Sequence, residues 1–506
     1  MHQTGEYPDG RGVSKKSSDI RVCEVTLYFQ PVELRVPLRF GGQTVTAVTF
    51  ARACVTVENR RGTRAAGWGE SPLNAAWAWP SQVPYETRTR LLERFCITLA
   101  ERWRRQGEGA RTCGGVFAAG HAIELGYRFI EHELPVLWRA LNAEDEASEP
   151  MPWLAALICS APFDLAIHDA FGVVNDVPTY RTYGPQYMNY DLSEYFLDDA
   201  PPAAPPTAHD APLHAATFRK KYPEHYLSRF PAKRLDAWHL VGAKDSVESA
   251  EPSGDGLSRN DGYPITLPDW IRRDGLRYLK IKLCGVDWEW DYHRVVRIGT
   301  LALAEDVYGL GLDFNCTVRE GSYVCELLDR VASDFPQLYE RILYVEQPFP
   351  VDFASHDPSD VAAIAARKPV FVDESADDWR SVCQARSDGW TGVALKSCKT
   401  QTGALLALAW ARSQGMELMV QDLSNAMLAQ IPHVLLAAYA DTGLGVESNG
   451  MQYYPDVSTA EARVHPGLYR RRAGRLDLGS LRGAGFGYRI IEIERELPSC
   501  AYSSFV

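Results

Sequence analysis

Residues 278–285 read YLKIKLCG, an apolar run that indicates a buried β-strand although two lysines interrupt it. Side chains of a strand point alternately to its two faces, so the Leu, Ile and Leu of this run share one face. Lys280 and Lys282 then point together from the other face. Two ammonium groups side by side in a strand that is apolar enough to be buried indicate a place where the protein needs positive charge.

This run is one of a series in the second half of the chain, where short apolar runs alternate with helical segments. Eight strands that alternate with helices predict a parallel sheet, and that number favours a closed β/α barrel over an open sheet. The eight runs are AWHLVGAKD (237–245), YLKIKLCG (278–285), YGLGLDFN (308–315), ILYVEQPFP (342–350), PVFVDES (369–375), GVALKSCK (392–399), ELMVQDLSN (417–425) and LGVESN (444–449).

Charged residues recur in these strands at a regular step. The steps from Lys282 through Asp313, Glu346 and Asp373 to Lys396 are 31, 33, 27 and 23 positions. A βα unit of such a barrel has about 30 residues, so each step moves one strand around the ring. Each charge lies near the carboxyl end of its strand, where barrel enzymes hold their reacting groups. The spacing therefore predicts that five neighbouring strands send these side chains into one barrel mouth.

The three carboxylates of this set predict a metal site. Buried charges must pair with one another or bind metal, and carboxylate oxygens on three consecutive strands suit Mg²⁺ while offering zinc no soft ligand. A single Asp or Glu at a strand end is more often a helix cap or a surface ion pair. The matching strand parity of the whole set favours the functional interpretation.

The strand motifs KIK, LDFN, VEQP, VDES and LKSCK resemble the enolase superfamily, specifically its muconate-lactonizing branch within the mandelate racemase/muconate lactonizing enzyme family. GWGESPL (67–73) is similar to the capping-domain sequence of that family, and FDLAIHDAFG (163–172) to the helix that enters its barrel. The resemblance implies an α/β fold, a modified (β/α)8-type TIM barrel. An N-terminal α+β capping domain, completed by the C-terminal segment, would cover it.

The resemblance also implies a ligand set. Asp313, Glu346 and Asp373 would ligate Mg²⁺, the expected cofactor. Asn315 and Glu374 match neighbours of the ligands in the motifs and are interpreted as residues that support them or contact the substrate.

Three lysines receive roles from the same resemblance. Lys282 and Lys396 would be the two acid/base groups, one on each face of the substrate. Lys280 would bind the substrate carboxylate and lower the pKa of Lys282, because two ammonium groups about 4 Å apart repel one another. Lys399 lies within the motif but differs in parity from Lys396, so it receives no role.

The implied reaction is removal of the proton α to a carboxylate through an enediolate intermediate. Two opposed lysines favour a racemase or epimerase of an amino-acid derivative or a related carboxylate. A cycloisomerase or a β-elimination enzyme (a dehydratase, or one similar to o-succinylbenzoate synthase) is the alternative on the same scaffold. A Schiff-base aldolase and a non-enzymatic binding protein are rivals of a different class.

The ends of the last two barrel strands bear on the substrate. The His-Asp pair that the mandelate racemase branch carries on these strands is absent, since VQDLSN and GVESN contain no His. Dipeptide epimerases carry Asp-x-Asp near the last strand, whereas this chain has Glu447 and Asn449 there. Asp422 is a further candidate substrate contact, with a helix N-cap as its other interpretation.

The composition divides the chain into segments. A disordered tail is expected at 1–20, the capping domain at 21–160 and the barrel at 161–469. An insertion rich in Pro and Ala, partly a surface excursion, is expected at about 186–234. The segment 470–506 should pack back on the capping domain.

Two loops and one strand complete the expected architecture. The loops RFGGQT (39–44) and NAAWAWPS (74–81) should close over the site, where Trp77 and Trp79 either line it or pack within the cap. YRIIEIERE (488–496) is predicted as a strand of the C-terminal segment.

The overall numbers limit the partners. A chain of 506 residues predicts more than one domain, and a net charge of −12 argues against nucleic acid and anionic membrane as partners. No run of 18 apolar residues predicts a membrane span. Eleven cysteines without any C-x-x-C spacing favour a reducing cytoplasm. A small-molecule carboxylate is the expected substrate, and the resemblance implies a homo-oligomer.

Overall fold

The computed structural model describes most of the chain, and two sequence expectations fall partly outside it. The described residues are 16–40, 42–109, 119–144, 149–196, 215–247 and 261–504. Residues 1–15 of the expected tail and 197–214 of the expected insertion lie outside them.

The described strands and α-helices are numbered here in chain order. The strands are β1 Ile20–Phe40, β2 Gln43–Asn59, β3 Arg64–Leu73, β4 Arg234–Val241, β5 Tyr278–Lys282, β6 Gly309–Asp313, β7 Ile342–Glu346, β8 Val370–Val372, β9 Gly392–Leu395, β10 Glu417–Val420, β11 Val446–Glu447, β12 Arg475–Asp477 and β13 Tyr502–Ser503. The helices are α1 Ala75–Ala78, α2 Tyr85–Gly109, α3 Ala122–Arg128, α4 Leu134–Glu144, α5 Trp153–Val174, α6 Leu267–Asp274, α7 Trp288–Ala304, α8 Gly321–Asp334, α9 Pro336–Arg341, α10 Pro358–Ala365, α11 Trp379–Ser387, α12 Gln401–Ser413, α13 Gln430–Ala440, α14 Gly450–Tyr453 and α15 Thr459–Val464.

Strands β4 to β11 form a closed parallel barrel. Each pairs with the next along the chain, and β11 pairs with β4 to complete the ring. Every one of the eight apolar runs in the sequence overlaps one of these strands, which confirms the predicted barrel. The parallel arrangement brings all eight carboxyl ends to the same rim. At the opposite end, β12 adds to β4 as an antiparallel neighbour.

The other sheet belongs to the capping domain and is antiparallel, with the strand order β13-β1-β2-β3. Leu27 of β1 lies opposite Tyr502 of β13, so the C-terminal segment completes the N-terminal sheet, as predicted. The prediction of a strand at 488–496 is wrong. Ile490–Glu492 form one 3₁₀ turn in which the side chains of Arg489 and Glu492 pair, and Ile491 is 97% exposed. Its isoleucines therefore do not share one buried face, because Ile493 is buried whereas Ile491 is exposed.

Helix α5 joins the two parts of the fold. It is buried along nearly its whole length and continues past Gly172, where the sequence predicted its end, across the expected boundary at residue 160. It is the one described helix with the length and apolarity of a membrane span, but 94% of its most apolar window is buried inside the protein.

The helix contacts β3 backbone to backbone at two glycines. A Cβ on Gly67 would lie 2.1 Å from the amide nitrogen of Ala170. A Cβ on Gly69 would lie 2.1 Å from the carbonyl oxygen of Pro162. Only glycine permits this approach.

Two buried polar clusters fasten the cap to the barrel. In the first, Arg52 of β2 donates to Glu70 of β3, and its Nη2 lies 3.4 Å from Glu461 Oε1 of α15. Burial raises the pKa of Glu70, although Arg52 opposes the shift.

In the second cluster, residues of α5 meet α12. Asp164 accepts from the Thr402 amide at 2.8 Å, and His168 Nε2 lies 2.9 Å from Thr402 Oγ1. Tyr183 Oη lies 2.9 Å from His168 Nδ1. Burial lowers the pKa of His168 to about 3 and raises that of Asp164 to about 6.

The described parts of the expected tail and insertion are packed. Asp19 is buried and accepts from Asn189 at 2.9 Å, so residues 16–19 continue into β1 rather than belonging to a disordered tail. On the two sides of 197–214, Phe196 and Phe218 lie in the barrel core with ring centroids 4.5 Å apart. The described flanks of the insertion thus contribute to the core, while other residues there, such as Phe230 at 90% exposed, lie at the surface.

Candidate active site

The strand register brings the predicted charges together at the carboxyl rim of the barrel. Lys282 lies directly opposite Asp313, and Asp313 directly opposite Glu346. Asp373 follows the last residue of β8, and Lys396 follows the last residue of β9. All five side chains are buried.

Lys280 lies at the centre of this group. Its Nζ is 3.3 Å from Asp313 Oδ2, 3.2 Å from Glu346 Oε1 and 2.7 Å from Glu447 Oε2. Burial disfavours its charge, but the three carboxylates outweigh that effect and raise the pKa of Lys280 well above its usual range. Lys280 is therefore a fixed cation in this arrangement.

Lys282 and Lys396 lie on opposite sides of the barrel. Their strands, β5 and β9, are four places apart in a ring of eight. Lys282 donates to Asp313, and Lys396 donates to Asp373 at 2.6 Å. Lys282 is only 6% exposed and Lys396 only 4% exposed. Two amines thus approach the middle of the mouth from opposite directions, each held by its own carboxylate.

Aromatic side chains of the cap cover both lysines. The ring of Phe40 lies 5.5 Å from Lys282 Nζ, and that of Trp77 lies 4.5 Å from Lys396 Nζ. The two loops that were expected to close over the site therefore supply these rings, which exclude water and favour a cation. Trp79 lies within the hydrophobic cluster of the cap.

Glu374 connects the cap to the barrel mouth. Its Oε1 accepts from Trp77 Nε1 at 2.9 Å and from Asn315 Nδ2 at 3.0 Å. The backbone amide of Asn315 donates to Asp313 Oδ1 at 3.0 Å. Asn315 therefore lies beside Asp313 and is linked to Glu374 at the barrel mouth.

The carboxylates of the mouth repel one another. Burial raises the pKa of Glu346, and the neighbouring Asp313 raises it further. Burial likewise raises the pKa of Glu374, and Asp373 adds to the shift. By contrast, Lys282 and Lys280 overcome the effect of burial on Asp313 and lower its pKa.

Asp422, Glu447 and Asn449 form a network at the carboxyl ends of β10 and β11, and Glu447 connects it to Lys280. Asn449 Nδ2 donates to Glu447 Oε1 at 2.6 Å, and the Asn449 amide donates to Asp422 Oδ2 at 2.6 Å. Asp422 Oδ1 accepts from the Asn425 amide at 2.7 Å, so it closes a turn as well as facing the site. Burial, with a contribution from Glu447, raises the pKa of Asp422 to about 7.

Three residues of the site received no role from the sequence. Gln421 Nε2 donates to Glu346 Oε2 at 2.6 Å, and Gln347 Oε1 accepts from the Asp373 amide at 2.8 Å. Lys399 Nζ lies 3.2 Å from Asp373 Oδ1, so it reaches the site in spite of its different parity. Both glutamines follow the last residue of a barrel strand, and this position is the signal that could have identified them.

The chemistry of the mouth fits a hard divalent cation. In their ionised forms the six buried carboxylates exceed the four buried ammonium groups by two negative charges, which one Mg²⁺ would balance. Glu374 Oε2 and Asn315 Oδ1 are buried without a hydrogen-bond partner. The carboxylates are those of Asp313, Glu346, Asp373, Glu374, Asp422 and Glu447, and the ammonium groups those of Lys280, Lys282, Lys396 and Lys399.

The arrangement of the side chains is not that of a ligand cage. Within the described ranges, no group of three or more His, Cys, Asp or Glu side chains could hold an ion as it stands. The ammonium group of Lys280 lies among the carboxylates instead. The type of donor and the charge thus support the predicted metal site. The arrangement of ligands around an ion is a proposal.

Comparisons with known proteins match both the barrel and the whole fold. The sequence profile of the enolase C-terminal domain-like family matches residues 267–493. No curated protein sequence is significantly similar to the chain. The muconate lactonizing enzyme of Mycobacterium smegmatis is 15% identical over 92% of this chain and 96% of its own, with a TM-score of 0.55.

Two further structures share the fold. A mandelate racemase/muconate lactonizing protein from Herpetosiphon aurantiacus is 18% identical over 92% of this chain and 98% of its own, with a TM-score of 0.54. A dipeptide epimerase from Enterococcus faecalis is 15% identical over 92% and 99%, with a TM-score of 0.53. Residues 267–493 match the enolase C-terminal domain-like family, and the whole chain shares its fold with these mandelate racemase/muconate lactonizing proteins and this epimerase.

Proposed function

We propose that this enzyme removes the proton α to a substrate carboxylate and returns a proton to the opposite face, as a Mg²⁺-dependent racemase or epimerase of an amino-acid derivative or a related carboxylate. The observation that carries the proposal is the opposed pair of buried amines. Lys282 and Lys396 lie four strands apart in a ring of eight, each next to an aspartate. An α-carbon held between them would face one amine on each side.

Each residue has one task in this reaction. Lys282 and Lys396 exchange the proton, one as base and the other as acid. Lys280, whose charge the surrounding carboxylates maintain, holds the substrate carboxylate. Phe40 and Trp77 keep water from the carbanion.

Asp313, Glu346 and Asp373 would hold the Mg²⁺ ion. When bound, the ion supplies Lewis-acid stabilisation of the negative charge that develops on the substrate carboxylate.

A cycloisomerase or β-elimination enzyme is the second candidate, and the surroundings of Lys396 favour it. Lys396 Nζ forms an ion pair with Asp373 at 2.6 Å and lies 4.5 Å from the centre of the Trp77 ring. This environment suits an ammonium group that stabilises charge without moving a proton. Lys282 would then be the single base.

The acidic residues at the carboxyl ends of β10 and β11 suggest one end of the substrate. Asp422 and Glu447 are both buried carboxylates; Glu447 lies 2.7 Å from Lys280 Nζ, and Asp422 is joined to Glu447 through Asn449. We propose that they contact a polar or cationic group of the substrate, with Asn449 holding Glu447 in position.

The cysteines support a reducing compartment. All ten cysteines of the described ranges are free thiols, as expected for a cytoplasmic enzyme. We propose the cytoplasm as its location and a homo-oligomer as its assembly, the latter on family analogy.

A screen in D₂O tests the function. N-acylamino acids, dipeptides and acid sugars are incubated with the enzyme and Mg²⁺, and NMR follows deuterium at the α-carbon. We expect exchange together with inversion for at least one class. Exchange without inversion would favour the one-base alternative, and no exchange with any class would contradict the proposal. Borohydride added during turnover should trap no covalent adduct, because the proposed mechanism forms no imine. A trapped adduct would indicate a Schiff-base aldolase instead.

A further inference from the structure

A pocket rich in arginine lies at the end of the barrel opposite the candidate active site. Its volume is about 460 Å³, and five arginines line it together with apolar residues and a single acidic residue, Asp477. The arginines are Arg234, Arg277, Arg470, Arg472 and Arg475. Such a concentration of positive charge is unexpected in a protein whose net charge is −12.

A tight hairpin creates part of this concentration. Arg472 and Arg475 exchange backbone hydrogen bonds of 2.9 and 3.1 Å across a two-residue turn, Ala473-Gly474, in which both residues have positive φ. Residues that flank such a turn lie directly opposite each other, with their side chains on the same face. Like charges in this position destabilise a hairpin, so stability does not explain the two arginines.

The preceding residues repeat the pattern. In the run of three arginines at 470–472, Arg471 is buried and donates to Asp274 at 2.8 Å, whereas Arg470 and Arg472 on its two sides are exposed. Among the described residues, the guanidinium groups of Arg470 and Arg472 have no ion-pair or hydrogen-bond partner. Arg234 and Arg475 each pair with one aspartate, at 3.0 and 2.7 Å. Arg277 donates to the neutral hydroxyl of Tyr308, so three guanidinium groups of the pocket have no carboxylate partner among the described residues, and two of them, Arg470 and Arg472, have no polar partner there.

We propose that this pocket binds a small multivalent oxyanion, a molecule with two or more phosphate or carboxylate groups. Guanidinium groups bind both kinds of anion through paired N–H donors, and the volume suits a metabolite rather than a polymer. The site is separate from the candidate active site, because Arg277 precedes Lys282 by five strand residues, roughly 16 Å.

Isothermal titration at low ionic strength tests the proposal on metal-free full-length protein. Pyrophosphate and tripolyphosphate represent phosphate sources, and citrate represents polycarboxylates. The test variant is R470Q/R472Q, which removes the two unpaired guanidinium groups without breaking a described contact. The matched control is R61Q/R463Q, which removes the same charge from exposed positions elsewhere on the protein.

We expect one equivalent of at least one of these anions to bind, at least tenfold more tightly than acetate or chloride. R470Q/R472Q should weaken this binding at least tenfold, and R61Q/R463Q by less than twofold. Binding of phosphates alone or of citrate alone would support the proposal and identify the source. The proposal is overturned if the wild-type protein binds none of the three, if both double variants weaken binding equally, or if only a long polyanion such as heparin binds.

Discussion

The opposed lysines lead to a stereochemical prediction. Lys282→Met and Lys396→Met each remove one amine and keep most of its apolar volume. Neither change leaves a carboxylate alone, because Asp313 keeps Lys280 at 3.3 Å and Asp373 keeps Lys399 at 3.2 Å. We therefore expect both variants to fold and to bind Mg²⁺.

The expected loss of inversion follows from the geometry. Inversion needs both amines in sequence, so either variant should lose it by at least about 10³-fold, which corresponds to about 4 kcal/mol of transition-state stabilisation. Proton exchange needs only the amine that faces the α-hydrogen. Lys282→Met should therefore still exchange one enantiomer of the substrate, and Lys396→Met the other.

The assay follows α-deuterium by NMR and inversion by chiral chromatography, starting from each pure enantiomer. Lys220→Met, at an exposed position, serves as the control and should match the wild-type enzyme. The reasoning is refuted if the two variants lose exchange of the same enantiomer, or if either retains inversion within tenfold of the wild type.

Three further predictions concern stability. Gly67→Ala forces a methyl group into the backbone of α5 and should lower the free energy of unfolding by about 3 kcal/mol in urea titrations, and a loss below 1 kcal/mol would count against the close contact. Arg52→Met leaves Glu70 buried without its cation and should cost about 3–5 kcal/mol, measured by the same titrations, whereas an unchanged midpoint would contradict the buried pair. The folded protein holds His168 neutral, with a pKa of about 3 against the ordinary 6.5, so this residue destabilises the fold as the pH falls from 6.5 towards 3. Asp164 has a raised pKa and acts in the opposite sense, so the test compares the wild-type protein with His168→Gln. The stability of His168→Gln should fall less on acidification than that of the wild type. Parallel pH profiles of the two proteins would contradict this account of His168.

The sequence predicted the barrel because two independent patterns indicate its strands. Each of the eight runs is apolar enough to be buried and is separated from the next by a helical segment, and the charges follow with the step of one βα unit. Residues 488–496 have an apolar pattern but no charges at the regular step of a βα unit. Their alternation of Ile with charged residues has no neighbouring strand to pair with, and Ile491 is exposed to solvent.

Parity arguments predicted which side chains enter the mouth but not how they pair. Lys399 follows β9 in a 3₁₀ turn, where the two-residue repeat of a strand no longer applies, and it reaches Asp373 all the same. Gln347 and Gln421 carry no charge, so a search for buried charges overlooks them. The contact of Lys280 with Glu447 joins the second barrel strand to the eighth, a distance in sequence that local patterns cannot bridge.

The pairing of β13 with β1 has a consequence for how the protein is made. Residues 502–503 supply the outer strand beside residues that the ribosome produced hundreds of codons earlier. During synthesis, β1 must wait with an unpaired edge while the barrel forms, and such edges invite contact with other nascent chains. The sheet of the cap is therefore completed only after residues 502–503 have been made, and a change that displaces β13 would act on the domain that the first strands form.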